Sequence, residues 1–351
     1  MLEVRTGCRL HFGLMEVAAG APHRFAGLGL MLARPGFVLN FAESADSVGQ
    51  TLENIIDEEI RHRMRAVVAL RPSPPSCRIG LCDQLPLHSG LGGGTQLACA
   101  VALGLELLKR RSAGNECIDA RNHTTVPQTS EGDWLPVSKL QLQLTPSWLV
   151  QNAARGLRSA VGLTGFLKGG LLLDEGYSEE PNSEQFHRSV TSTSRLLPAN
   201  WRVVLVIPNR QERVHGRQEA KLIEELGSRP YRQSAHMLGL ARRIFELASS
   251  EEEFVTFTET LDQYMELGAR LFSPYQGGLY NGEEVSLAVQ MARAAGLRGV
   301  GQSSWGPTVF GFAENEPQAF QSAQAVRDRR PDWCVTTTEP ATSGAEARWL
   351  R

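Results

Sequence analysis

Pro86-Leu87-His88-Ser89-Gly90-Leu91-Gly92-Gly93-Gly94-Thr95 is the stretch on which the reading of this chain turns. A short strand-like segment, Arg78 to Cys82, leads into it. Behind it Leu97, Val101, Leu105 and Leu108 recur at helical spacing, so the loop opens a helix of about three turns. Four glycines in five residues permit positive φ and leave no Cβ to hold a ligand away from the backbone. The helix start adds unpaired N–H groups and the positive end of its dipole, a setting suited to phosphate oxygens. The loop is not a Walker A loop, because no Gly-Lys-Ser/Thr closes it. It is not a dinucleotide fingerprint either, since the glycine spacing differs and no acid closes a second strand about twenty residues on.

Working outward, Glu3 to Leu14 reads as an opening strand carrying Arg9 and His11, and Val38 to Phe41 as a second. Thr51 to Leu70 reads as a helix with Ile55, Ile56, Ile60 and Met64 near one face. Ser112 to Pro136 is polar and aperiodic, the pattern of a surface insertion. Helical patterns at Lys139 to Leu157 and a strand around Phe166 to Asp174, with the pair Gly169-Gly170, complete a first half, residues 1–195. Polar residues from Ser178 to Ser194 mark the passage to a second half, residues 196–351. There Trp201 to Pro208 reads as a buried strand, followed by four helical patterns ending at Glu283 to Ala295. Strands at Thr308 to Phe312 and Asp332 to Thr337 flank a helix at Glu316 to Arg327. The class is α+β.

With 351 residues and 42% hydrophobic side chains, the chain can bury a substantial core. A net charge of −2 with intermixed signs gives no basic footprint for nucleic acid. Six scattered cysteines form no C-x-x-C pair, so no zinc ribbon or dithiol motif arises from neighbours. No apolar run has the length of a membrane span, and the expected location is the cytoplasm.

Pro86 to Gly94 resembles the second motif of the GHMP kinase superfamily, P-x-x-x-G-L-G-S-S-A. The departure is at Gly93 and Gly94, where those kinases carry serines that help hold the Mg²⁺ of ATP. The segment in which they often place a catalytic Asp reads Arg155-Gly156-Leu157-Arg158-Ser159-Ala160-Val161-Gly162 and contains no acid. One branch of the superfamily is more similar: the β-ribofuranosylaminobenzene 5′-phosphate synthases. The blocks that carry this resemblance are Gly7-Cys8-Arg9-Leu10-His11-Phe12-Gly13-Leu14, His88 to Gly92 with Thr95-Gln96-Leu97, and Arg158-Ser159-Ala160-Val161-Gly162. A fourth is Gly299-Val300-Gly301-Gln302-Ser303-Ser304-Trp305-Gly306-Pro307-Thr308, and Arg24 to Leu30 is a further one.

The resemblance implies a GHMP-kinase-like two-domain fold, with a ribosomal S5 domain 2-like first domain and a ferredoxin-like second. It implies a transferase joining phosphoribosyl pyrophosphate to 4-aminobenzoate through a C-glycosidic bond. CO₂ and pyrophosphate are lost, on the way to tetrahydromethanopterin. Mg²⁺ is expected with the pyrophosphate, and no ATP is required. The alternative is an ATP-dependent small-molecule kinase using the same loop. Partners are small molecules, neither nucleic acid nor membrane, and a homodimer is a possible assembly.

Under this resemblance Arg9, His11, His88, Arg158, Ser159 and Ser304 are candidates for catalysis. Ser89, Gly90, Leu91, Gly92, Gly93, Gly94, Thr95, Ser303 and Trp305 are candidates for binding, and metal ligands stay unassigned. Arg9 and His11 alternate on a strand and share a face. His88 stands at the loop mouth, either to donate to a departing pyrophosphate or to brace the loop. Arg155 and Arg158, three apart, suit a pyrophosphate or a carboxylate. Ser303 and Ser304 offer hydroxyls and N–H groups in a second anion nest. Trp305 either stacks on an aromatic substrate or plugs the core.

Overall fold

The computed structural model describes residues 1–18, 21, 23–44, 50–53, 55–114, 133–140, 142–156, 158–177, 192–209, 223–227 and 230–350. The centre of the expected insertion and most of the expected passage between halves lie outside these residues.

The opening segment forms two strands, β1 (Leu2–Arg5) and β2 (Cys8–Leu14), in different sheets. The break falls at Gly7, where a Cβ would lie 1.9 Å from the Leu32 carbonyl oxygen. β3 (Gly27–Leu32) pairs with β2, β4 (Val38–Glu43) pairs with β1, and β5 (Gln50–Glu53) runs parallel to β6 (Cys77–Asp83). The helix read over Thr51 to Leu70 is shorter. Asp57 accepts from the N–H groups of Glu59 and Ile60, so α1 spans Glu58–Ala69 and Ile56 is left exposed outside it. After the glycine loop, α2 (Gly93–Ser112) runs for 20 residues and is buried along most of its length, as befits a central helix.

Next come β7 (Leu135–Pro136), α3 (Pro146–Ala153) and α4 (Val161–Lys168). The strand expected from Phe166 begins later, as β8 (Leu171–Asp174). Phe166 belongs to α4, which ends at Gly169 with φ 72°. β9 (Ser192–Arg195) pairs with β8 and closes the sheet β2-β3-β8-β9. The later half supplies β10 (Arg202–Ile207), α5 (Ser234–Leu247), α6 (Phe254–Gln276), α7 (Glu283–Ala294), β11 (Arg298–Gln302), β12 (Val309–Ala313), α8 (Glu316–Arg329) and β13 (Cys334–Thr338). Its strands form one sheet in the order β11-β12-β10-β13.

The two-half division differs from the structure at the C-terminus. β14 (Glu346–Trp349) returns to pair with β1, inside the sheet β5-β6-β4-β1-β14-β7. One hydrophobic cluster, from Leu2 and Phe41 to Trp201, Phe257 and Phe312, runs through both halves. Phe12 of β2 packs on Phe310 of β12 with ring centroids 5.2 Å apart, which sets β2 against the second sheet. The glycine loop and the Gly301 to Gly306 turn meet at that seam.

Candidate functional site

A cleft of about 820 Å³ opens there, lined by β2, the glycine loop, the start of α2, Ala154 to Gly156 with Arg158 and Ser159, one face of α6 and the turn after β11. The loop builds its phosphate-sized end from backbone. φ is positive at His88 (58°), Gly90 (86°) and Gly92 (72°), alternating with ordinary values between them, the arrangement that turns successive N–H groups to one side. Gly92 is the left-handed N-cap of α2. Its carbonyl accepts from Thr95 and Gln96, so the N–H groups of Gly93 and Gly94 stand at the open first turn.

Cations gather on this end. A Cβ at Gly92 would lie 3.2 Å from Arg9 Nε, and one at Gly94 would lie 2.6 Å from Arg63 Nη1 and 4.0 Å from Arg155 Nη2. Arg155 Nε is buried with no hydrogen-bond acceptor among the described residues. Burial, and then neighbouring Arg63, pull Arg155 below the usual arginine range. Arg158 lines the same cleft. The acidic residues lining the cleft, among those described, are Asp262 and Glu266 on α6.

The sequence-predicted residues divide by what their side chains do. Arg9, His11, His88, Ser89, Gly90 to Thr95, Arg158, Ser159, Ser304 and Trp305 all line the cleft. His11 is not a cation: burial, with help from Arg9, drops its pKa to about 3. Its Nδ1 accepts from the Gly13 N–H at 3.3 Å, which leaves Nε2 as the protonated nitrogen. His88 Nε2 lies 2.9 Å from both carboxylate oxygens of Glu59, which also binds Arg63. His88 thus braces the loop through Glu59 to the Arg63 guanidinium.

Two serines are turned inward. Ser89 Oγ donates to the Pro86 carbonyl at 2.7 Å. Ser303 is fully buried, accepts from the His11 N–H and donates to the Gly90 carbonyl, so its hydroxyl joins β2 to the loop instead of offering itself to a ligand. Ser304 is the exposed member of the pair, at φ 53°, and its N–H donates to the His11 carbonyl. Trp305 is 8% exposed and stands edge-on to Phe272 at 4.7 Å, a wall of the cleft more than a free stacking platform. Gln276 lines the cleft, and its amide donates to the Leu279 carbonyl.

Close contact between the loop and the later turn holds the site shut at its base. A Cβ on Gly306 would lie 2.2 Å from the Ser89 carbonyl oxygen, and one on Gly90 would lie 2.3 Å from that of Ser303. Glycine is required at both for this approach.

Sequence reasoning missed Arg63, Asp174 and Asp262. Arg63 sits on an ordinary amphipathic helix and carries no local signal. Asp174 is fully buried, takes N–H bonds from Ala160 (2.6 Å) and Gly176 (3.1 Å), and receives the Ser159 hydroxyl at 3.3 Å. It anchors the start of α4 and hence the Arg158–Ser159 turn. Its signal was the apolar run Leu171 to Leu173 ending in an acid. Glu16, near the first motif, is structural: its oxygens take the N–H groups of Val17, Ala18 and Tyr231.

Fold and cleft define the class: this is a GHMP-kinase-type fold. It superposes on homoserine kinase from Cytophaga hutchinsonii with a TM-score of 0.60 at 14% identity, covering 99% of this chain and 97% of that one. Mevalonate pyrophosphate decarboxylase from Streptococcus pyogenes gives 0.57 at 11% identity, with 97% of each chain covered. In sequence the chain is similar to the curated beta-ribofuranosylphenol 5′-phosphate synthase of Methanothermobacter thermautotrophicus, 23% identical over 340 residues and 92% of both chains. The protein of that name from Archaeoglobus fulgidus is 24% identical over 338 residues, 93% of this chain and 92% of the other. These relatives bear out the resemblance read from the motifs. No protein-family model matches the chain. Among the described residues no helix is long and apolar enough to cross a membrane.

Proposed function

We propose that this protein is a decarboxylating phosphoribosyltransferase. It joins phosphoribosyl pyrophosphate to a para-substituted benzoate through a carbon–carbon bond, with loss of CO₂ and pyrophosphate, in the assembly of a tetrahydromethanopterin-type carrier. The acceptor is 4-aminobenzoate or its 4-hydroxy counterpart; the name of the relatives speaks for a phenol. The observation that carries the reading is the cation-rich glycine nest, with Arg9, Arg63 and Arg155 around the start of α2 and Arg158 lining the same cleft, while the lining carboxylates among the described residues are both on α6.

The chemistry needs no strong protein base. The ring carbon para to the amine or hydroxyl is nucleophilic and is the one that carries the carboxylate. Its attack on ribose C1 expels pyrophosphate with the bonding electron pair, and loss of CO₂ returns the electrons of the C–CO₂⁻ bond to the ring. The protein must hold two anionic groups, keep water from C1 and stabilise the departing pyrophosphate. Backbone N–H groups and guanidinium groups at the loop do this. The neutral His11 lines the same cleft. Mg²⁺ enters with the pyrophosphate oxygens: among the described residues no three His, Cys, Asp or Glu side chains gather to hold a metal.

The kinase alternative is weaker. Gly93 and Gly94 stand where kinases carry serine, and the acid nearest the Ser159 turn, Asp174, is buried and bound to backbone N–H groups. The test is carboxyl-labelled acceptor with phosphoribosyl pyrophosphate and Mg²⁺. Equimolar labelled CO₂ and pyrophosphate, with no ATP consumed, is the expected result. Label retained in a ribosylated product, or ATP-dependent phosphorylation in its place, overturns the reading.

A further inference from the structure

The cleft has a second pole, and its distance from the first is set by α6. Asp262, Met265, Glu266, Ala269 and Phe272 fall at helical spacing on the face of α6 that lines the cleft. Phe272 meets Trp305, which adjoins the turn locked onto the glycine loop. β11 runs alongside, with Gly301 against Met265: a Cβ there would lie 2.4 Å from the Met265 sulfur. Asp262 is therefore ten residues, about 15 Å at the rise of an α-helix, from Phe272.

The local chemistry at Asp262 is that of an acceptor held in place. Oδ1 is buried and lies 3.7 Å from Arg293 Nη2, and the Val300 backbone N–H also supports the charged carboxylate. The side chain as a whole keeps 41% exposure, and Asp262 lines the cleft. Burial raises the carboxyl above the ordinary range against the opposing pull of Arg293. Met265, Ala269 and Phe272 line the cleft with apolar side chains along the same face of the helix.

Ring geometry then fixes the pairing. The reacting carbon must face ribose C1 and so the phosphate end. The para substituent points the opposite way, along that face. We propose that Asp262 receives the para amine or hydroxyl of the acceptor and is a catalytic residue of the transfer, an inference that rests on the function proposed above. As the ring carbon bonds to C1 and pyrophosphate leaves, positive charge develops on the para heteroatom. With a phenol, Asp262 takes the O–H proton and a cyclohexadienone forms. When the C–CO₂⁻ bond breaks, its electron pair restores the ring and the oxygen recovers the proton from Asp262. No proton is gained or lost overall. With an amine, the carboxylate stabilises the iminium-like N–H group by a charge-assisted hydrogen bond.

The test compares the parent with Asp262→Asn on two acceptors: 4-hydroxybenzoate, and a 3,5-difluoro analogue whose hydroxyl is already ionised at the assay pH. The parent-to-variant ratio of kcat is expected to reach at least about tenfold with the neutral phenol. It should shrink to within about threefold with the ionised one, because a phenolate needs no base. The apparent affinity for phosphoribosyl pyrophosphate, read as a melting shift, stays unchanged. Equal losses on both acceptors, a loss confined to phosphoribosyl pyrophosphate binding, or no loss at all overturns the role of Asp262. Failure of the parent itself to form product from any acceptor sinks the proposed function instead, so the two are separable.

Discussion

Replacing Gly94 with alanine separates the glycine loop's binding role from its structural one. Gly94 is the second residue of α2 and its φ lies outside the left-handed region, so alanine fits the backbone. The added methyl would meet only the tips of Arg63 (Nη1, 2.6 Å) and Arg155 (Nη2, 4.0 Å), both on long side chains that can yield. Gly-to-Ala exchange in a helix is worth roughly 0.5–1 kcal/mol in favour of alanine. For a chain of this length the melting temperature should stay within about 2 °C of the parent. Activity is another matter. The methyl occupies the gap between the open N–H groups of α2 and the two guanidinium groups, the place assigned to a phosphate oxygen. Losing one charge-assisted hydrogen bond costs about 1.5–3 kcal/mol, or roughly 10- to 150-fold in kcat/KM for phosphoribosyl pyrophosphate. Initial rates of pyrophosphate release against donor concentration give the number. A variant that melts like the parent and retains kcat/KM within about twofold would show that the phosphates bind elsewhere.

Two further predictions follow from buried groups. Asp174→Asn keeps an acceptor for one of the Ala160 and Gly176 N–H groups and sets an amide N–H₂ against the other; we expect a loss of about 1–3 kcal/mol in urea unfolding, with kcat falling as the Arg158–Ser159 turn loosens. A variant as stable and as active as the parent would remove Asp174 from the site's support. His11 is held neutral in the fold, with a pKa of about 3 against an ordinary 6.5. The unfolded chain therefore takes up a proton that the folded one refuses. Its contribution is intact above about pH 6.5 and is lost as pH falls toward 3. Between pH 8 and 5.5 the parent should lose about 1.4 kcal/mol more stability than His11→Asn. Parallel losses in the two proteins would mean that His11 titrates normally.

Much of the fold was legible because it depends on local pattern. The glycine loop, the helix behind it, the β10 run and the β12–α8–β13 series follow from periodicity and from where glycine falls. Errors came where a short signal decides a boundary: Asp57 starts α1 at Glu58, and Gly169 ends α4 just before β8. The loop's affinity for anions could also be read from the sequence alone, since glycine N–H groups need no side chain to be recognised.

What only the tertiary structure decided is which side chains those N–H groups work with, and which are spent on holding the fold. Ser303 and Ser304 are neighbours of one residue type, yet one hydroxyl is buried between β2 and the loop and the other is exposed at the cleft. Arg63 reaches Gly94 from a helix thirty-one positions earlier, and Asp262 faces the cleft from the later half. β14 closes the first sheet from the far end of the chain. Each of these depends on contacts between segments distant in sequence. Periodicity reports which face of an element is buried, but not which element will cover it.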